Sequence, residues 1–255
     1  MPQHVLNGVV VRYADYKDYD RILTLYTKER GLVSCAARGC RRPKSRLLQA
    51  AELFVSGEFV LFQNGDKYTL DACDVRETYY PLREDIARFS AGAYMLSLVE
   101  AGADGGEEPN DALMSLLLYA LTYAAYSDCE PIDLALCFAL RCLQSLGYRP
   151  AITNCALCGA DLRKSAHIRF SPVSGGALCP VCARGLYAGG GVNGSAIGAE
   201  VSPLSLEAMR RMLLLRDEDI NKVRLPQRVR EELRDIVGPL AECVLERRFK
   251  AFDCI

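Results

Sequence analysis

Asn64-Gly65-Asp66-Lys67-Tyr68-Thr69-Leu70-Asp71-Ala72-Cys73-Asp74-Val75 is the stretch on which the architecture of the N-terminal part turns. An Asn-Gly turn leading into an apolar–polar alternation predicts a hairpin: the turn residues accept positive φ, and period-two patterning suits a half-buried strand. Upstream, residues 47–62 form the expected partner run. Residues 32–37, 21–27 and 4–12 supply three more strand-like segments, with Gly31 separating the second from the third. Five strands in the first eighty residues predict a small closed or nearly closed barrel.

The OB-fold is the leading candidate for such a barrel. Downstream the period becomes helical. Pro81 suits a first helical turn, with Glu84 and Asp85 near the positive end of the dipole and Ile86, Phe89, Ala93 and Leu96 on one face. Further helices are expected over residues 111–126 and 131–146, the latter stopping at Gly147. Ser202-Pro203 reads as a cap plus first-turn proline. The last forty residues are again helical, with an expected break at Gly238-Pro239. Residues 189–194, glycine-rich, read as a connection; no Gly-Lys-Ser/Thr follows, so they form no phosphate-binding loop. The fold class is α+β and multi-domain: a barrel over residues 1–80, a helical domain in two parts over 81–150 and 191–255, and an insert over 151–190.

That insert carries Cys155-Ala-Leu-Cys158 and Cys179-Pro-Val-Cys182, two C-x-x-C hooks twenty residues apart. Four thiolates around one Zn²⁺ make a closed tetrahedral site with no open position for substrate, hence a structural staple. Gly159 follows the first hook, where a turn needs positive φ. A disulfide pair, or two unrelated thiol pairs, is the alternative. A zinc deaminase is excluded because no H-x-E precedes the hooks. His167 is expected at the surface of the ribbon. The other eight of twelve cysteines are scattered, and that usage fits a reducing compartment.

A net charge of −1 implies no cationic excess, so any nucleic-acid contact must be local. Residues 38–46, Arg-Gly-Cys-Arg-Arg-Pro-Lys-Ser-Arg, hold five cations and no acid between the third and fourth strands. Arg38, Arg41, Arg42, Lys44 and Arg46 are the expected contacts to DNA phosphates, with Arg12 and Arg21 as weaker candidates on the barrel. If all five met single-stranded phosphates, log affinity would fall with log salt at a slope of about −3.5. Tyr13, Tyr16, Tyr19 and Tyr26 offer possible stacking faces. The alternative is a solvated basic loop beside core tyrosines.

Residues 8–27, Gly31-Leu32-Val33, residues 37–47, the four-cysteine insert and the ending Leu245-Glu-Arg-Arg-Phe-Lys-Ala251 together resemble the bacterial RecO family. The resemblance runs through essentially the whole chain. It implies an OB-fold, a helical domain and a zinc-binding insert. It also implies a non-enzymatic recombination mediator that binds single- and double-stranded DNA and anneals complementary strands. Its implied partners are RecR, the C-terminal tail of single-stranded-DNA-binding protein (SSB) and, indirectly, RecA. Arg141 on the 131–146 helix is a candidate for the rim of the tail pocket. The competing class is a zinc-ribbon adaptor that binds only protein. An enzyme is not expected, because no H-E-x-x-H or G-x-S-x-G occurs and only His4 and His167 could act as imidazole bases. The start, Met1-Pro2-Gln3-His4-Val5, lacks a basic segment followed by an apolar one, and the apolar run 112–126 is too short for a bilayer. The expected location is the cytoplasm, in association with the nucleoid.

Overall fold

The computed structural model describes residues 2–103, 109–163, 165, 167–188 and 198–255. Contacts divide the chain into two units, Met1–Tyr126 and Ser127–Ile255.

In the first unit, five strands run in chain order: β1 (Gln3–Tyr16), β2 (Asp20–Thr27), β3 (Gly31–Ala37), β4 (Ser56–Asn64) and β5 (Lys67–Glu77). They close as β1-β2-β3-β5-β4. Every pairing is antiparallel except β3 with β5, and β1 pairs with both β2 and β4. This is the OB-like barrel expected. β1 can serve two neighbours because it is long and bends at a bulge between Val10 and Arg12. Inward residues, among them Val10, Leu23, Leu25, Phe59 and Leu61, fill the barrel.

The expected strand over 47–62 is shorter than its apolar run. Residues 47–55 form turns, with the Ala51 amide donating to the Leu47 carbonyl at 3.1 Å. Leu47, Ala51 and Val55 insert into the barrel core. The run is apolar because it fills the barrel interior, so period alone mistook it for strand. β3 and β4 do not pair with each other, and residues 38–55 cross between them.

Two helices complete this unit, α1 (Ile86–Ala103) and α2 (Asp111–Tyr126). The proline turn expected to begin α1 is a separate 3₁₀ turn, Tyr80–Arg83. α1 starts later, and Asp85 Oδ1 accepts the Arg88 amide at 2.8 Å, as a capping carboxylate does. Of the four residues expected to share one face, Leu96 is buried and Ala93 half-buried, while Ile86 and Phe89 are exposed; Ala91, Tyr94, Met95, Leu98 and Val99 are also buried. α1 packs on α2, β1 and β3. Phe89 meets Phe54 edge-to-face at 5.5 Å, and Arg12 binds Glu100 at 2.6 Å. These contacts join the helices to the barrel, and the residues up to Tyr126 cluster with it.

In the second unit, α3 (Pro131–Ser145) is buried on nearly every side, from Leu134 through Leu140. A helix apolar all round belongs in a core. α5 (Pro203–Leu214) and α6 (Gln227–Val244) pack against it. Ser202 caps α5 as expected, accepting the Ser205 amide at 3.2 Å. α6 does not break at Gly238-Pro239. Pro239 lies on the exposed side, where water can meet the carbonyl it leaves without a donor. Gly238 is buried, and a Cβ there would collide with the Phe252 ring. The insert holds β6 (Ile168–Ser171), β7 (Gly176–Leu178), α4 (Pro180–Ala188) and β8 (Ala199–Val201), with strand order β7-β6-β8. Its sheet therefore reaches past residue 190. The glycine-rich connection over 189–194 lies outside the described residues. No helix among the described residues is long and apolar enough to cross a membrane.

Candidate metal centre and nucleic-acid interface

The first hook is a tight turn. The Cys155 amide donates to the Ala160 carbonyl at 2.7 Å, and the Gly159 amide returns to the Cys155 carbonyl at 2.9 Å. Gly159 has φ +73°, the left-handed conformation that closes such a turn without a Cβ clash. The Ala156 amide ties the hook to the Ala177 carbonyl in the middle of β7, at 2.9 Å. The second hook lies at the start of α4. Cys179 precedes Pro180, the first helical residue, and its sulfur accepts the Cys182 amide at 3.5 Å.

The sulfur atoms of Cys155, Cys158, Cys179 and Cys182 all lie within 4.8 Å of one another. Cys158 and Cys179 sulfurs are 3.8 Å apart. Tetrahedral Zn–S bonds of about 2.3 Å would place sulfurs about 3.8 Å apart, so the spacing fits a four-thiolate ion. Burial opposes ionisation of Cys155. The amides of Cys179, Cys158 and Leu157 outweigh it and bring the thiol down to about 6. Cys182 goes the other way, pushed up to about 12 by its bonds to the Cys158 and Cys179 sulfurs. A thiolate at Cys155 therefore suppresses ionisation of Cys182, and a cation among the four would relieve that repulsion. The four cysteines could hold a metal ion. His167 stands apart, exposed, with Nδ1 at 3.4 Å from Glu200 Oε1.

The basic loop lies on the first unit, fastened to the turn between β1 and β2. The Gly39 amide donates to Asp20 Oδ1 at 2.7 Å, and the Arg41 amide to the Tyr19 carbonyl at 3.0 Å. Arg41 reaches Asp15 at 3.4 Å, and the Arg42 guanidinium lies 5.4 Å from the Tyr19 ring centre. Arg38, Arg41, Arg42, Lys44 and Arg46 are all exposed. Cys40, between them, points inward and is buried in the barrel core with Cys35. Burial drives Cys35 up to about 12, so these two thiols act as packing groups.

Arg12 and Arg21 differ from the loop cations. Arg12 is paired with Glu100. Arg21 is only 13% exposed and is held by Asp15 at 3.0 Å and Glu52 at 2.7 Å. Tyr26, offered above as a stacking face, is 1% exposed and belongs to the core. Arg141, considered for a pocket rim, is bound to Asp217 at 2.6 Å. Sequence reading missed Asp15 and Asp20, the acids that position the loop. Their signal is cross-strand register, Asp15 opposite Arg21 and Tyr16 opposite Asp20, which no local pattern reveals. It also missed a groove of about 410 Å³ whose apolar lining includes Leu204, Met212, Leu215 and Val229, and whose charged lining residues are Glu207, Arg211, Lys222 and Arg224.

The family described as Recombination protein O N terminal matches residues 1–79, and Recombination protein O C terminal matches residues 83–252. A DNA repair protein RecO of Symbiobacterium thermophilum is 33% identical over 255 residues, covering 98% of this chain and 96% of the relative. One from Pelotomaculum thermopropionicum is 32% identical, covering 99% and 93%. One from Acetivibrio thermocellus is 34% identical over 176 residues, 69% of each chain.

Proposed function

The chain belongs to the RecO family of DNA repair proteins, and from that membership we propose that it is a recombination mediator that binds and anneals DNA through the basic loop. Acting with RecR, it would help load RecA onto single strands coated by SSB, at the nucleoid. Its part is to bind and position strands, with no covalent step.

The observation that carries this is the loop itself: five exposed cations, fastened by backbone bonds to the barrel's β1–β2 turn. Arg38, Lys44 and Arg46 have no acidic partner among the described residues. Phosphates meeting these groups release condensed counterions, which drives binding. Two strands brought to the same cations repel each other less, and annealing follows. Arg12 and Arg21, held by acids, serve mainly to orient the loop and its neighbours. In a fluorescence-anisotropy titration, Arg41→Glu with Arg42→Glu should weaken oligonucleotide binding and flatten the salt slope by roughly one to two units. Unchanged affinity and slope would remove the loop from the interface and favour the protein-only adaptor.

Zinc is the ion we assign to Cys155, Cys158, Cys179 and Cys182, one per chain; bound there it would brace the fold, leaving no site for water or substrate. The acidic, apolar tail of SSB is assigned to the groove at Leu204, Met212, Leu215 and Val229, because Arg224 joins its apolar lining with no acidic partner among the described residues, whereas Arg211 and Lys222 are paired with Glu207 and Asp219. Arg141 is already engaged by Asp217. Replacing the exposed Leu204 by Glu should abolish binding of a tail peptide measured by calorimetry; full retention would move the tail elsewhere.

A further inference from the structure

The end of β1 departs from the alternation that governs the rest of the barrel. Residues 12–19 are all exposed, so both faces of the strand there meet solvent. Within that stretch stand Tyr13, Tyr16 and Tyr19, 37%, 50% and 48% exposed. Tyr13 and Tyr16 near the end of β1, and Tyr19 in the turn that follows, stand outside the barrel core.

Each ring carries a cation. The Arg21 guanidinium lies 4.0 Å from the Tyr13 ring centre, Lys17 Nζ 5.2 Å from Tyr16, and the Arg42 guanidinium 5.4 Å from Tyr19. A cation over one ring face restrains the ring and leaves the other face open, which lowers the ordering cost when something stacks on it. Arg42 belongs to the basic loop, and Gly39 and Arg41 bond to the same turn through Asp20 and Tyr19. Phosphate-binding cations and open ring faces therefore occupy one edge of the barrel. Of the acids in and beside this stretch, Asp15 is engaged by Arg21 and Arg41 and Asp20 accepts the Gly39 amide, while Asp18 is exposed and in no ion pair among the described residues.

We infer that Tyr13, Tyr16 and Tyr19 stack on unpaired bases while Arg41 and Arg42 take the neighbouring phosphates, so that this edge selects single strands over duplex. This inference rests on the DNA-binding function proposed above and adds its specificity. A base in a duplex is already stacked on both sides, so a duplex offers the edge only its phosphates. An unpaired base has a free π face, and every base has one, so the selection is by strandedness and not by sequence.

The test uses the full chain, a short fluorescein-labelled oligothymidylate and a duplex of the same length, with anisotropy read at several salt concentrations. Alanine at each tyrosine should weaken single-strand binding roughly five- to hundredfold, with the salt slope and the duplex affinity unchanged. Phenylalanine at the same positions should restore it, which separates stacking from a folding defect. Equal losses on both substrates, or no loss on the single strand, would overturn the inference while leaving the loop's DNA binding intact. If the unsubstituted chain binds neither substrate at low salt, both the inference and the function beneath it fail.

Discussion

At the residue scale, single side chains divide by whether their neighbours in space are also their neighbours in sequence. Cys155 and Cys158 share one turn, and Cys179 and Cys182 share another, so each half of the metal centre was legible as a local pattern. Cys35 and Cys40 are indistinguishable from them by type, yet both are buried in the barrel. Cys155 and Cys179 are buried too, so what separates a candidate ligand from a packing thiol is the gathering of four sulfurs within 4.8 Å of one another. The predicted consequence is one zinc per chain by elemental analysis. Cys155→Ala should lose most of that metal and lower the melting temperature of the protein, because structural zinc supplies folding energy, about 10–16 kcal/mol in small peptides. A variant that keeps its full metal content would show that the cluster is not the site. The loop cations were legible too, as an acid-free run. That Arg21 is nearly buried between Asp15 and Glu52 was not, since Glu52 lies thirty-one residues away.

At the element scale, helix ends were read well and faces less well. α2 and α3 begin where expected, and Ser202-Pro203 starts α5. A cap is a local bond, so its sequence is enough. The Ser202 cap also has a partner that no local pattern shows: Glu232 of α6 accepts the Ser202 amide at 2.9 Å and the Ser205 hydroxyl at 2.7 Å. Partial burial raises the pKa of Glu232. Its bonds from Ser202 and Ser205, with Arg228 at 3.1 Å, outweigh that and hold it below the usual carboxylate range. A carboxylate whose pKa is depressed by folding stabilises the protein above its unfolded value of about 4.3, and that stabilisation is lost as pH falls through the folded value. Glu232→Gln should therefore cost about 1.5–3 kcal/mol in urea unfolding at neutral pH. The gap from the parent protein should close in acid. A gap that stays constant with pH would refute the ionic role. The misread elements have a common cause: residues 47–55 and the Gly238-Pro239 step are shaped by what they pack against, the barrel interior in one case and the Phe252 ring in the other.

At the scale of the whole molecule, the change from period two to helical period near residue 80 marks a change of secondary structure, and contacts still group residues up to Tyr126 with the barrel. α1 and α2 belong with the barrel because Phe54–Phe89, Arg12–Glu100 and the bond from Tyr126 to Glu77 join them to it. The four-cysteine cluster and the basic loop consequently lie in different units. By itself the chain determined five strands, the helices, the two cysteine hooks and the cationic run, because period, turn residues and ligand spacing act over a few neighbouring residues. Tertiary structure alone decided which cations face solvent, which tyrosines stand at the β1 end beside the loop, and where the apolar groove opens. Those outcomes depend on burial and on pairing between residues distant along the chain, and both are settled only when the strands close and the helices pack.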